Sequence, residues 1–383
     1  MTGSLQIKNN RYYAVLNLKI DGKRKQKWIN MGLDEKAPKK EVNKKFRDIL
    51  NAYETHPQVL SSKILFADYL YTWLNNAKFH IDEVTFQHYQ DEIKTHIYPY
   101  FKQLNVSLSD VSKDVLQRYF IEKHENGRID CNGGLSVTTL KHHRNVINQT
   151  LNFALKNELI LQNPCQFVAL PKKEKYEYAF YNQEELQHFL ISVRSERLYP
   201  LYVVTVVYGL RKSEVLGIKW DSIDLNNKTL TIKHTRVEAK TVIAKDKTKT
   251  QSSYRSFPLS DEMLDLFVRL KNDERKNQKL FGSEYNKNDY VFKFENGVPY
   301  SPNYISKKHN KILKQYGLKH IRFHDLRHSC ASLLNAQGFT LKDIQEWLGH
   351  SDIQITANIY SHLDIKRKQN ISNTISHALQ DNG

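Results

Sequence analysis

Residues 11–20, Arg-Tyr-Tyr-Ala-Val-Leu-Asn-Leu-Lys-Ile, alternate apolar and polar side chains, and this period of two predicts a strand with one buried face. Asp21-Gly22 follows as a hairpin turn, and Lys25 to Met31 reads as the returning strand. From Pro38 to about Thr55 the period lengthens: Val42, Phe46, Ile49, Leu50 and Tyr53 fall on one face of an amphipathic helix. The start of the chain is thus predicted to be a small sheet with one packed helix, and three strands are expected in that sheet.

A break follows from His56 to Lys63, marked by Pro57 and the paired Ser61 and Ser62. From Leu65 to about Leu170 the pattern is helical. Helices are predicted to open at Phe66, to run from Val84 to Ile97 and stop before Pro99, to run from Val111 to Lys123, and to start at Ser136 after Gly133-Gly134 and reach about Asn157. Asn163-Pro164-Cys165 closes the bundle, and Pro171 to Lys175 is a charged tether. Beyond it, Asn182 before Glu184 and Glu185 reads as a helix cap. Leu201 to Tyr208 is the most apolar run, suited to a buried helix. Strands are expected in one island, Lys228 to His234 and Tyr254 to Leu259, with a long basic loop between.

Charge adds what periodicity cannot. The net charge of +17 implies a polyanionic partner, nucleic acid before an acidic membrane surface. The first fifty residues carry 13 Lys and Arg against 5 Asp and Glu, and Tyr12, Tyr13 and Trp28 sit among them. That pattern suits strands laid in a DNA groove, with Arg11, Tyr13, Lys25 and Lys27 as candidate contacts. A second candidate surface is Lys141, His142, His143 and Arg144. No run reaches the ~18 apolar residues of a membrane span, and no segment near the start has the apolar core of a signal peptide. Cys131, Cys165 and Cys330 are odd in number and lack Cys-x-x-Cys spacing, so they are expected as reduced thiols of a cytosolic protein.

The chemistry concentrates between Arg322 and His362, with His324-Asp-Leu-Arg327, Leu348-Gly-His350 and Tyr360. A guanidinium can neutralise phosphoryl oxygens, imidazoles can hydrogen-bond or move protons, and a phenol can attack phosphorus. Arg211, in Tyr-Gly-Leu-Arg-Lys-Ser-Glu after the apolar helix, would add a second guanidinium, which Glu214 could orient. His320, His324 and His328 recur every four residues, but no His-Glu-x-x-His is present and no metal site is expected.

Residues 200 to 365 resemble the tyrosine recombinases, the integrases of bacteriophages and conjugative transposons. The likeness rests on the strings above and on Glu214-Val-Leu-Gly-Ile-Lys-Trp-Asp-Ser-Ile-Asp-Leu225, with Tyr208 and Ser213 as departures outside the chemistry. The resemblance implies a multidomain, mainly α fold with small β parts. It divides the chain into an arm-type DNA-binding domain (1–56), a helical core-binding domain (63–170), and a mixed α/β catalytic domain with a tail (176–383). It assigns Arg211, Lys249, His324, Arg327, His350 and Tyr360 to catalysis, with Glu214 in support. Lys249 is placed by the downstream Ser253, Arg255 and Pro258-Leu259, with Lys245 and Lys247 as its alternatives.

The implied reaction is site-specific integration and excision through a 3′-phosphotyrosyl link and a Holliday junction, without metal, nucleotide or other cofactor. It implies double-stranded DNA and a homo-tetramer in the bacterial cytoplasm, and leaves room for an excisionase and a host DNA-bending protein. The tail from Ile365 to Leu379 is expected to dock on a neighbouring subunit. The competing readings are a type IB topoisomerase-like relaxing enzyme and a catalytically silent DNA-binding regulator.

Overall fold

The computed structural model describes residues 2–20, 23–55, 64–172, 179–238, 242–245, 254–349 and 372–376. They fall into two compact units, 1–175 and 176–383.

In the first unit, β1 (Thr2–Lys8), β2 (Arg11–Ile20) and β3 (Lys23–Asp34) form an antiparallel sheet in the order β1-β2-β3. Strand alternation sends Ala14, Leu16, Ile29 and Met31 to one face, where they pack on Val42 and Tyr53 of α1 (Lys39–Thr55). The other face carries Tyr13 and Trp28, whose ring centroids are 6.1 Å apart; Trp28 is 46% exposed.

The helical part of this unit contains α2 (Phe66–Ala77), α3 (Glu83–Glu92), α4 (Tyr98–Leu104), α5 (Lys113–Asn126) and α6 (Val137–Lys156). The helix predicted to stop before Pro99 does not stop. A π-helical turn at Ile93–Ile97 follows α3 and runs directly into α4, and this wider turn accommodates Pro99 near the start of α4. Ser112 and Ser136 cap α5 and α6, accepting from Val115 N at 3.2 Å and Thr139 N at 3.1 Å. Phe66, Leu70, Phe101, Tyr119 and Ile147 are among the buried residues of the bundle core.

The second unit opens with α7 (Gln183–Ser192). Asn182 caps it as the sequence suggested, accepting from Glu185 N at 2.8 Å, and Glu185 closes a capping box by accepting from Asn182 N at 2.9 Å. The apolar α8 (Tyr199–Tyr208) and short α9 (Lys212–Gly217) follow. A three-stranded antiparallel sheet has the order β4-β5-β8, from Ile223–Asp224, Thr229–Ile232 and Arg255–Pro258. The stretch expected as a long loop contains a further antiparallel strand pair, β6 (Thr235–Glu238) with β7 (Val242–Lys245).

The rest is α10 (Asp261–Phe281), α11 (Pro302–Gln315), α12 (Asp325–Ala336) and α13 (Leu341–Leu348). A buried ion pair, Lys293 with Glu274, holds the segment after α10, and Trp220 donates to the same carboxylate. Among the described residues, no helix is long and apolar enough to cross a membrane.

Candidate active site

The site is built where α8 ends. Gly209 adopts φ +58° and closes the helix, as glycine does at no steric cost. A Cβ there would stand 2.2 Å from Leu348 Cδ2 and 3.2 Å from Cys330 Sγ. The turn therefore lets α8, α12 and α13 meet closely, and it aims the Gly209 carbonyl at Arg327.

Arg211 is the N-cap residue of α9, and its extended backbone turns its side chain toward the helix start. Glu214, three residues on, accepts the Arg211 backbone N–H at 2.9 Å and its Nη1 at 2.6 Å. The Arg211 Nη2 donates to the Gly349 carbonyl at 3.1 Å. Its side chain is 33% exposed, whereas that of Arg327 is 1% exposed. Arg327 Nη1 donates to Gly209 O and its Nη2 to Leu348 O, both at 2.7 Å, and it lies 3.9 Å from Glu214. The two helix C-termini thus present carbonyls to a cation, as helix polarity favours.

A residue the sequence reading used only to set register completes the cluster. Arg255 forks onto Glu214, with Nη2 to Oε2 at 3.0 Å and Nη1 to Oε1 at 3.3 Å. Period-two alternation along β8 puts Arg255 beside Phe257 on the inner face, and Phe257 packs against Tyr208 and Trp347 at ring distances of 5.0 and 4.8 Å. That alternation was the available signal.

One carboxylate among three guanidiniums sets the electrostatics. Burial pushes Glu214 up, but Arg255, Arg211 and Arg327 outweigh it and hold the carboxyl down at about 2. Burial pulls Arg327 down to about 9, with Arg211 adding to the shift and Glu214 opposing it.

His324 occupies the N-cap position of α12, with helical backbone angles and no side-chain capping bond, and Arg327 follows three residues later. The imidazole has exposed surface yet is crowded by protein. Desolvation, then His328 and Arg327, draw its pKa below the ordinary imidazole value, so the ring is neutral at pH 7. Its centroid lies 5.3 Å from that of His328, edge to face. Arg322 anchors this helix start through three bonds to the buried Asp325, from its backbone N–H at 2.8 Å, Nε at 3.0 Å and Nη2 at 2.7 Å.

The structure thus brings Arg211, Glu214, His324 and Arg327 into one unit. Lys249, His350 and Tyr360 lie outside the described residues, as does Lys247; Lys245 ends β7. In the first unit, Arg11 and Lys141 are exposed, Tyr13 and Arg144 are half-buried, and Lys25 pairs with Leu18 in the sheet.

Two candidate contacts need correction. His143 belongs to no exposed basic face: Leu140, His143, Ile147, Leu151 and Ala154 form the buried stripe of α6, and His143 Nδ1 lies 2.8 Å from Tyr119 Oη. Lys27 shares the helix-packed face with Leu16. Its side chain is 17% exposed, it donates to Ser109 O at 2.6 Å, and it lies 3.8 Å from Asp110.

Comparison with known proteins adds to this geometry. The model of the phage integrase family matches residues 179–367, and that of the phage integrase N-terminal SAM-like domain matches 65–124. The tyrosine recombinase XerC of Bacillus subtilis is 30% identical over 248 residues, covering 62% of this chain and 74% of that one. The chain is a tyrosine recombinase.

A XerC-like tyrosine recombinase of Caldanaerobacter subterraneus is 28% identical over 391 residues, spanning 97% of each chain. The ICEBs1 integrase of Bacillus subtilis is 26% identical over 250 residues, 64% of this chain and 67% of its own. In fold, the Tn1549 transposon integrase, solved with transposon right end DNA, matches with a TM-score of 0.66 at 18% identity, over 82% of this chain and 100% of that one. A lambda integrase dimer bound to a core site matches at 0.57 and 17% identity, over 93% of each chain. The family is one of DNA strand-transferring enzymes, and the mainly helical fold with small sheets is its fold.

Proposed function

We propose that this tyrosine recombinase integrates and excises a mobile element at specific DNA sites, with Tyr360 as the nucleophile. The observation that carries the reading is the convergence of Arg211 and Arg327 on one buried carboxylate, with the neutral imidazole of His324 at the start of the same helix as Arg327. Two fixed cations suit the non-bridging oxygens of a phosphodiester, because they are preorganised before charge develops.

The Tyr360 oxygen attacks phosphorus, and the phenol proton passes to a neutral imidazole such as His324. The bond from phosphorus to the 5′-oxygen breaks, and that oxygen takes a proton from Lys249. A 3′-phosphotyrosyl link and a free 5′-hydroxyl remain. The hydroxyl of a partner duplex reverses the step, so bond energy is conserved and no nucleotide is consumed. His350 hydrogen-bonds the phosphate.

Residues 1–56 contact arm-type DNA and residues 63–170 clamp the core site, with 176–383 as the catalytic domain. Four copies act on two duplexes at the bacterial nucleoid. Support comes from the DNA-bound Tn1549 integrase and lambda integrase that share this fold, and from the ICEBs1 integrase among the relatives.

The test is a nicked suicide duplex carrying an end of the element. Wild type becomes covalently attached, whereas Tyr360→Phe binds the duplex without attachment. Attachment by the Phe variant, or none by wild type, overturns the reading.

A further inference from the structure

We propose that Arg255 is a positioning residue of the reaction, acting through Glu214 on the pair Arg211 and Arg327; the inference rests on the function proposed above. Among the described residues, four hydrogen bonds reach the Glu214 carboxylate, two of them from Arg255. Oε1 accepts from Arg211 Nη1 at 2.6 Å and from Arg255 Nη1 at 3.3 Å. Oε2 accepts from the Arg211 backbone N–H at 2.9 Å and from Arg255 Nη2 at 3.0 Å. A forked guanidinium across both oxygens fixes the plane of the carboxylate in a way a single ammonium cannot. That plane in turn fixes the Arg211 guanidinium, the more exposed of the two.

Charge gives Arg255 a second effect. Glu214 is the anion beside both Arg211 and Arg327, and left to them alone it would spend its whole charge on the groups that must attract a phosphate. Arg255 takes up part of that charge. Among the described residues, the cluster keeps three guanidiniums against one carboxylate, a surplus of two, and would keep a surplus of one without Arg255. Arg255 reaches the pair through Glu214, since each of its Nη atoms bonds one oxygen of that carboxylate. Its own position is fixed by strand pairing with Ile232 and by its guanidinium lying 5.2 Å from the Phe257 ring centroid.

The test is single-turnover covalent attachment to the nicked duplex, with the dissociation constant for the same DNA measured alongside. Arg255→Met is expected to slow attachment roughly tenfold to a hundredfold, less than direct loss of an oxyanion donor, while DNA affinity stays within about threefold. Arg255→Lys keeps the charge but not the fork and should fall between the two. In a Glu214→Gln background, adding Arg255→Met should change the rate by less than about threefold, because both changes remove one coupling.

An Arg255→Met rate equal to wild type overturns the proposal, as does a loss that multiplies with that of Glu214→Gln. A fall in DNA affinity matching the fall in rate would instead make Arg255 a DNA contact and also overturn it. If Arg255→Met does not fold, as read by its melting curve, Arg255→Lys decides: a rate equal to wild type sinks the fork argument. Absence of attachment by wild type would mark failure of the functional reading itself, whereas normal wild-type attachment with unaltered Arg255 variants marks failure of this inference alone.

Discussion

The Arg327 guanidinium donates to the Gly209 carbonyl at 2.7 Å, across 118 residues of chain. The contact exists because Gly209 takes a left-handed conformation in a space with no room for a side chain. Gly209→Ala should cost about 2–4 kcal/mol, combining left-handed strain with overlap against the fully buried Leu348. Gly317, just past the end of α11, supplies the control: its φ of +61° is similar, but nothing lies within 4 Å of an added Cβ. Gly317→Ala should cost only about 1 kcal/mol of strain. Urea unfolding of both variants measures the difference, and equal costs would show that the packing at Gly209 is unimportant.

Acid should act on this site through Glu214. Its folded pKa is held at about 2, below the ordinary 4.5. A depressed carboxylate contributes stability that is complete above the unfolded value and lost as pH falls through the folded one. The window is therefore from about pH 4.5 down to about 2, worth roughly 3 kcal/mol. Glu214→Gln should flatten that part of the stability curve. At neutral pH it should also destabilise the fold by about 3–5 kcal/mol, because three guanidiniums lose their shared anion. Denaturant midpoints at stepped pH read both effects. An unchanged acid limb in Glu214→Gln would remove the carboxylate from its proposed role.

Much of this was legible in the chain because the signals were local. The Asn182 cap with Glu185, the apolar α8, the turn before Arg211 and the i,i+3 relation of Arg211 to Glu214 each depend on a few neighbouring residues, and each is present. Tertiary pairing was less legible. Arg255 meets Glu214 41 residues away, and nothing in the Ser-Ser-Tyr-Arg-Ser string announces that partner. Polar residue type misled at two positions. His143 was read by its charge-bearing neighbours, although its spacing from Leu140 and Ile147 already put it on the buried stripe. Lys27 is a candidate groove contact by charge, but it shares the face of Leu16 and spends its ammonium on Ser109 and Asp110. The π-helical turn before Pro99 was hidden because the proline rule predicts a break, and one wide turn lets the chain avoid it.

The burial of His143 separates stability from DNA binding. Desolvation, with His96, Lys123 and His142 nearby, lowers its pKa to about 3. A lowered histidine pKa means that the unfolded chain takes up protons first, so stability falls as pH drops from about 6.5 toward 3. His143→Gln should flatten that decline and cost about 1–3 kcal/mol at pH 7, with Tyr119 left poorly paired. Its DNA affinity should hardly change. Lys141→Ala, at an exposed position, should leave the melting temperature alone and, if Lys141 meets a phosphate, lower the salt slope of binding by about one. Salt titrations of both variants check the assignment. A His143 variant with a reduced salt slope would return that residue to the DNA surface.

The neutral state of His324 sets the acid limb of the reaction. Desolvation and the neighbouring His328 and Arg327 lower its pKa, so the ring loses its proton at a lower pH than a free imidazole. If the neutral ring takes the phenol proton, attachment rate should remain level from pH 7 through 6.5 and fall only at lower pH. His324→Gln should slow attachment about a hundredfold to ten-thousandfold, the range for loss of a proton-transfer group, and should erase this limb. Arg211→Lys should lower the rate but leave the limb in place, because it leaves the imidazole intact. Single-turnover rates between pH 5 and 8 on the nicked duplex decide the matter. A limb centred at or above 6.5 in wild type would show that His324 acts as a cation, and the proton transfer would then belong to another group.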